Sequence, residues 1–171
     1  MSRGKKHPPK IKHPNKPRPL PVQPLSDIDR SIRAHEEFAR ARVHLFEAEK
    51  LAEFSQTPNA CIHSAYYAMY HAAVAALFAS GGVGKRRDVP KSHEHVIEHF
   101  GRLVANETGD LAGLGKVLSV ARNERMVADY DMVRSASGID AAETTKLARK
   151  FVDVCMRKWN FSDKVADELD D

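Results

Sequence analysis

Two short runs bring together side chains that could hold or transfer charge. In the first, His63, Tyr67 and His71 stand four residues apart, which places a polar stripe along one face of an otherwise apolar helix. In the second, Arg122, Arg125 and Asp129 recur at steps of three and four, with Tyr130 next in line. A guanidinium can offset phosphate charge, an imidazole can move a proton, and a carboxylate can hold either in place. Two readings follow from the residues themselves. In one, Arg125 pairs with Asp129, holds a Tyr or His of the other helix and sets the register of the packing. In the other, the same groups line a pocket for a phosphate or for RNA. A buried helix carries such groups only when each has a partner, which both readings supply.

Other strings point to chemistry less well. His95-Val96-Ile97-Glu98-His99 has the spacing of inverted zinc proteases, two His one turn apart with a Glu before the second. No downstream helix is an obvious source of the further carboxylate ligand, a bundle this small leaves no room for a substrate cleft, and no bound metal or cofactor is expected. Gly82-Val83-Gly84-Lys85 hints at a phosphate loop. However, Ala79 stands where a P-loop needs Gly, Arg86 where it needs Ser or Thr, and a helix precedes it where a strand should. Lys85, Arg86 and Arg87 remain as a basic loop able to touch phosphates. Cys61 and Cys155 lie among apolar neighbours and read as inert core thiols.

Helices must position these residues. Ser26 suits an N-cap, followed by Asp27 and Asp29 in a first turn that favours negative charge. Ile28, Ile32, Phe38, Ala41, Leu45 and Ala48 then recur at helical steps as an inward stripe to about Phe54. Thr57-Pro58 opens a second helix that ends near Ser80, before Gly81-Gly82. Ser92 caps a third, with Val96, Phe100, Leu103 and Val104 inward. A break at Asn106–Gly109 leads to a fourth from about Asp110 to Tyr130, carrying Leu111, Leu114, Leu118 and Ala121. Asp140 and Glu143 have capping-box spacing and open a last helix through Phe151, Val152, Cys155 and Trp159. No run alternates as a strand would. The fold class expected is all-α, an up-and-down bundle of four to five helices.

The 171 residues allow one ordinary domain, and charge divides them into three parts. Residues 1–25 hold seven basic side chains, no acid and seven of the nine prolines, which reads as a disordered basic tail. Residues 26–159 balance 19 bases against 18 acids and form the bundle; residues 160–171 hold five acids and one Lys, an acidic tail. The basic balance of the whole chain thus belongs to its first segment, where it could meet nucleic acid phosphates. No Asp, Glu, Lys or Arg occurs between Glu53 and Lys85, long enough to suggest a membrane span. His63, Tyr66, Tyr67, Tyr70 and His71 sit near its middle, where a spanning helix would carry Leu, Ile and Val, so a buried bundle helix is expected. No apolar leader lies near Met1, and two Cys make no disulfide framework; both suggest a cytoplasmic location.

Three segments together carry a family resemblance: the run Ser64 to Ala73 (SAYYAMYHAA), the pair Ser92-His93, and the run Arg122 to Tyr130 (RNERMVADY). The chain over residues 28–157 resembles a HEPN domain (higher eukaryotes and prokaryotes nucleotide-binding) of the short bacterial and archaeal branch. That resemblance implies a helical bundle that forms a homodimer. It also implies either a metal-independent ribonuclease, often a toxin paired with a minimal nucleotidyltransferase, or a noncatalytic module that binds RNA or a nucleotide. The ribonuclease signature is an Arg followed after four to six residues by a His on the same helix. Arg125 matches the Arg, and Tyr130 stands in the position of the His. A phenol, with a pKa of about 10, carries protons poorly at pH 7. The expectation is therefore a HEPN-like module binding RNA or a nucleotide-bearing partner through Arg122, Arg125, Asp129, Tyr67, His71, Lys85, Arg86 and Arg87. The alternatives are a ribonuclease using Arg125, Tyr130 and His71, and a structural interaction domain.

Overall fold

The computed structural model describes residues 25–54, 57–81, 92–130 and 136–161. The helices are α1 (Asp27–Glu53), α2 (Pro58–Ala79), α3 (His93–Leu103), α4 (Leu114–Tyr130) and α5 (Gly138–Trp159), with a 3₁₀ turn at Gly109–Leu111 before α4. No strand occurs among the described residues. The expected all-α bundle is what the chain forms. The basic first segment before Leu25, the loop with Lys85, Arg86 and Arg87, and the acidic end lie outside the described residues.

α2 is the central rod and packs against each of the other four helices. Its sequence explains this. Ala65, Ala68, Ala72, Ala73, Ala75 and Ala76 are fully buried, and side chains this short let neighbouring backbones approach closely. Tyr66, Met69 and Leu77 fill the wider gaps and meet Phe100 of α3, Leu118 of α4 and Phe151 of α5 in the core. No helix among the described residues is long and apolar enough to cross a membrane.

Several local signals act as their chemistry demands. The Ser26 hydroxyl accepts from the Asp29 N–H at 3.1 Å, and the Ser92 hydroxyl accepts from the His95 N–H at 3.3 Å. Pro58 stands in the first turn of α2, where its missing N–H costs nothing. The Asn160 backbone is left-handed (φ 54°) and turns Phe161 back to stack on Phe38, ring centres 4.5 Å apart. Trp159 Nε1–H donates to Ser80 Oγ at 2.7 Å, tying the end of α5 to the end of α2. The Cys61 Sγ–H lies 3.3 Å from the Ala48 carbonyl, and burial pushes the Cys155 thiol far up, so both are core thiols as expected.

Three expectations need correction. Ile28 and Ile32 were placed on the inward stripe, but they are 73% and 52% exposed. At 100° per residue Ile28 points away from the buried stripe of Ala34, Phe38, Ala41, Leu45 and Ala48, and Ile32 lies at an open groove beside Val74 and Phe78 of α2. The fourth helix was expected from Asp110. Gly113 adopts a left-handed backbone (φ 82°), which separates the 3₁₀ turn from α4 and starts the helix at Leu114. The capping box of α5 is formed by Ser137 and Asp140. The Ser137 N–H donates to Asp140 Oδ2 at 2.9 Å and the Asp140 N–H to Ser137 Oγ at 3.2 Å. Asp140 is thus at the third helical position and not the cap, and α5 starts at Gly138, directly after the Ser137 cap.

Candidate nucleotide-binding site

Tyr66, Tyr67, Tyr70 and His71 fall on adjoining lines of α2, so one broad face of the rod is aromatic. Tyr66 is wholly buried, while Tyr67, Tyr70 and His71 are half-buried. α3 begins against this face. Its first residue, His93, stacks on Tyr70 with ring centres 4.5 Å apart and meets Tyr67 edge-on at 5.7 Å. The Tyr66 hydroxyl lies 2.6 Å from His93 Nδ1.

The last two turns of α4 close the other side. Arg125 Nε lies 2.5 Å from Asp129 Oδ2, the one-turn pairing read from the sequence. It is a charge contact and not an aligned hydrogen bond, since the buried Nε–H points off the oxygen. Both side chains are largely covered, 15% and 18% exposed. His63 Nδ1 stands 3.2 Å from each oxygen of the same carboxylate, so Asp129 joins α2 to α4. The guanidinium carbon of Arg125 lies 5.7 Å from the Tyr67 ring centre and 5.6 Å from that of Tyr130. A cation between two aromatic rings is held by both. Beyond this, Arg125 Nη1 meets only the Met126 sulfur, at 3.6 Å, and neither Nη nitrogen has an oxygen partner among the described residues.

Arg122, one turn earlier, pairs with Glu94 in the first turn of α3. Glu94 is held below the usual carboxylate range by its own backbone N–H, the Ser92 hydroxyl and then Arg122. His93 is held below the usual imidazole range, first by burial and then by the charges of Arg125 and Arg122. Burial raises Tyr66 well above the ordinary phenol range, with Tyr70 adding to it. Burial also raises Tyr70, with Glu37 of α1 and Tyr67 contributing.

The sequence-derived site residues therefore divide. Arg122, Arg125, Asp129, Tyr67 and Tyr130 come together, with Tyr130 67% exposed at the rim. His71 turns instead to α1: its Nδ1 lies 2.6 Å from Glu37 Oε2, and its ring stacks on His44 at 5.4 Å. Tyr70 and His71 also line a groove of about 640 Å³ between α1 and α2, whose α1 wall carries Arg33, Glu36, Glu37 and Arg40. Lys85, Arg86 and Arg87 lie outside the described residues. His93 and Tyr66 are central to the cluster, although neither is among the site residues expected from the sequence. The only signal was the Ser92-His93 pair within the family pattern. His95 and His99 stack on each other at 4.2 Å, and among the described residues no three His, Cys, Asp or Glu side chains converge to hold a metal.

An imidazole and two guanidiniums, braced by tyrosines and by two carboxylates, suit contact with an anion more than covalent chemistry. No curated protein matches the chain. The HEPN domain family model matches residues 34–159, which takes in every residue of this cluster. That match spans well over half of the chain and agrees with the helical bundle, so the chain belongs to the HEPN domain family.

Proposed function

We propose that the chain is a HEPN module that binds RNA or a nucleotide phosphate through Arg125 and Arg122, and works within a toxin–antitoxin or defence pair. One observation carries this reading. Arg125 is braced by Asp129 and two tyrosine rings, yet both Nη nitrogens lack an oxygen partner among the described residues. A guanidinium needed only to hold two helices together would direct its fork at the carboxylate. Here the shortest contact with the carboxylate is through Nε, and neither Nη nitrogen hydrogen-bonds an oxygen among the described residues, which favours the planar Nη edge as the one that meets a ligand, the geometry with which arginine receives phosphate. Tyr130 at the rim offers a ring on which a base can stack.

The partners that fit this reading are RNA or a nucleotide, a second copy of the chain, and a nucleotidyltransferase. Support for the second copy comes from Val120 and Val127 of α4 and Leu147 of α5, large apolar side chains left exposed. The test is fluorescence anisotropy with a labelled single-stranded RNA, comparing wild type with Arg125→Ala. Loss of about tenfold in affinity, the size of one charge-assisted contact, is expected. Equal affinity would remove Arg125 from the binding surface. Metal-independent cleavage of the RNA by the wild type, lost in the variant, would replace binding by catalysis as the function.

A further inference from the structure

We propose that His93 is a ligand-binding residue of this site, presenting a neutral Nε2–H beside Arg122 and Arg125 to an internal phosphodiester of RNA. The inference rests on the RNA reading above and adds a residue, a tautomer and a ligand charge to it.

The tautomer follows from burial. Tyr66 has no exposed surface, and its hydroxyl has one partner among the described residues, His93 Nδ1 at 2.6 Å. A buried O–H left without an acceptor is costly, so the phenol proton must point at the Nδ1 lone pair. Nδ1 is then an acceptor, and the one proton of the neutral ring sits on Nε2. Burial keeps the phenol protonated, which preserves that arrangement.

The ring is also fixed in direction and in charge. Tyr70 stacks on one face and Tyr67 meets it edge-on. The ionisable groups acting on it are Tyr66, Tyr67, Tyr70 and His71 from α2, Arg122 and Arg125 from α4, and Glu94 on its own helix. Burial and the two guanidiniums keep the imidazole uncharged, and Glu94 opposes them only in part. Nε2 has no hydrogen-bond partner among the described residues.

The same balance selects the ligand. Arg122 already meets Glu94, and Arg125 already meets Asp129, so the cluster is close to neutral before anything binds. A monoanionic phosphodiester can take the Nη edge of Arg125 and the Nε2–H of His93 without further charge. A phosphomonoester dianion would instead draw a second proton onto the imidazole. With its proton already on Nε2, His93 also has no lone pair there to receive one from a 2′-hydroxyl. His93 is thereby a binding group and not the base of a cleavage.

The experiment titrates a short single-stranded oligoribonucleotide lacking terminal phosphates into the full chain. His93→Ala is expected to weaken binding about tenfold. His93→Gln, whose amide N–H reaches a similar point, should recover part of that loss, and Tyr66→Phe should cost about threefold by freeing the tautomer. Calorimetry in two buffers of different ionisation enthalpy should show no proton uptake at pH 7.5. In ¹⁵N spectra the His93 ring should be protonated at Nε2 and not at Nδ1, a readout that needs neither a variant nor a ligand. Protonation at Nδ1 overturns the proposal. So does His93→Ala binding as tightly as a wild type that binds, or RNA cleavage by the wild type that His93→Gln abolishes. A wild type that binds no RNA overturns the ligand claim together with the RNA reading, whereas loss in Arg125→Ala without loss in His93→Ala removes His93 alone.

Discussion

A Cβ atom built on Gly115 of α4 would lie 2.8 Å from the Gly101 Cα of α3. Backbones meet at this crossing with no side chain between them, and the contact sets how far α3 stands from α4. It therefore also sets the reach between His93 and Glu94 on one helix and Arg122 and Arg125 on the other.

Gly115→Ala should force the two helices apart. Overpacking of this kind costs about 1–3 kcal/mol, and because the obstacle is backbone the strain cannot relax through a rotamer change. Urea unfolding should show a lower midpoint with an unchanged slope. RNA affinity should fall as well, since the Arg122–Glu94 contact spans the displaced pair.

Arg125→Ala should destabilise the fold by about 1–2 kcal/mol, less than the loss of a fully buried pair. Arg125 and Asp129 are both largely covered, but His63 still faces the Asp129 carboxylate after the guanidinium is gone. Thermal melting of the variant beside its RNA affinity separates the two roles. Affinity falling about tenfold with only this modest loss of stability is the outcome expected for a ligand-binding arginine.

His93 makes stability depend on pH with a definite sign. Its pKa is lower in the folded chain than the ordinary value of 6.5, so near that pH the unfolded chain binds more protons. Its contribution is fully present above about pH 6.5 and is lost as pH falls from there through the lower folded value. His93→Gln should be less sensitive over the same interval, measured as midpoint against pH from 7.5 to 5.

Neither cysteine should react in the native state. Cys61 and Cys155 are both wholly buried, and burial pushes the Cys155 thiol far above its ordinary range, leaving almost no thiolate. Iodoacetamide at pH 8 should modify both in denaturant and neither without it, as read by mass spectrometry.

Removing residues 1–24 should flatten the salt dependence of RNA binding if their seven bases meet phosphates. Each single-strand phosphate contact contributes about 0.7 to the slope of log affinity against log salt. A slope unchanged by the deletion would confine binding to the bundle.

What could be read in the sequence was what depends on neighbours along the chain. Ser26 and Ser92 cap their helices because a hydroxyl reaches an amide three residues on, whatever the rest of the molecule does. Arg125 finds Asp129 because one turn of helix brings them together. The alanine-rich, charge-free run of α2 announces a rod buried on most sides. Where periodicity could be met in two ways, local reading fell short: Asp140 fits a cap and fits the third place of a box, and Ser137 decides between them. Contacts between helices were another matter. His71 and Tyr66 lie on the same aromatic face of α2, yet His71 meets Glu37 of α1 and Tyr66 meets His93 of α3. Which partner each receives depends on how the helices are rotated and spaced about α2. The close approach at Gly101 and Gly115 helps to set that arrangement, and it is a contact between two helices that neither run determines by itself. The chemistry of the cluster was visible as residue types, but the pairing of Tyr66 with His93, on which the proposed tautomer rests, comes from tertiary packing that buries Tyr66 with Nδ1 as its one hydrogen-bond partner among the described residues.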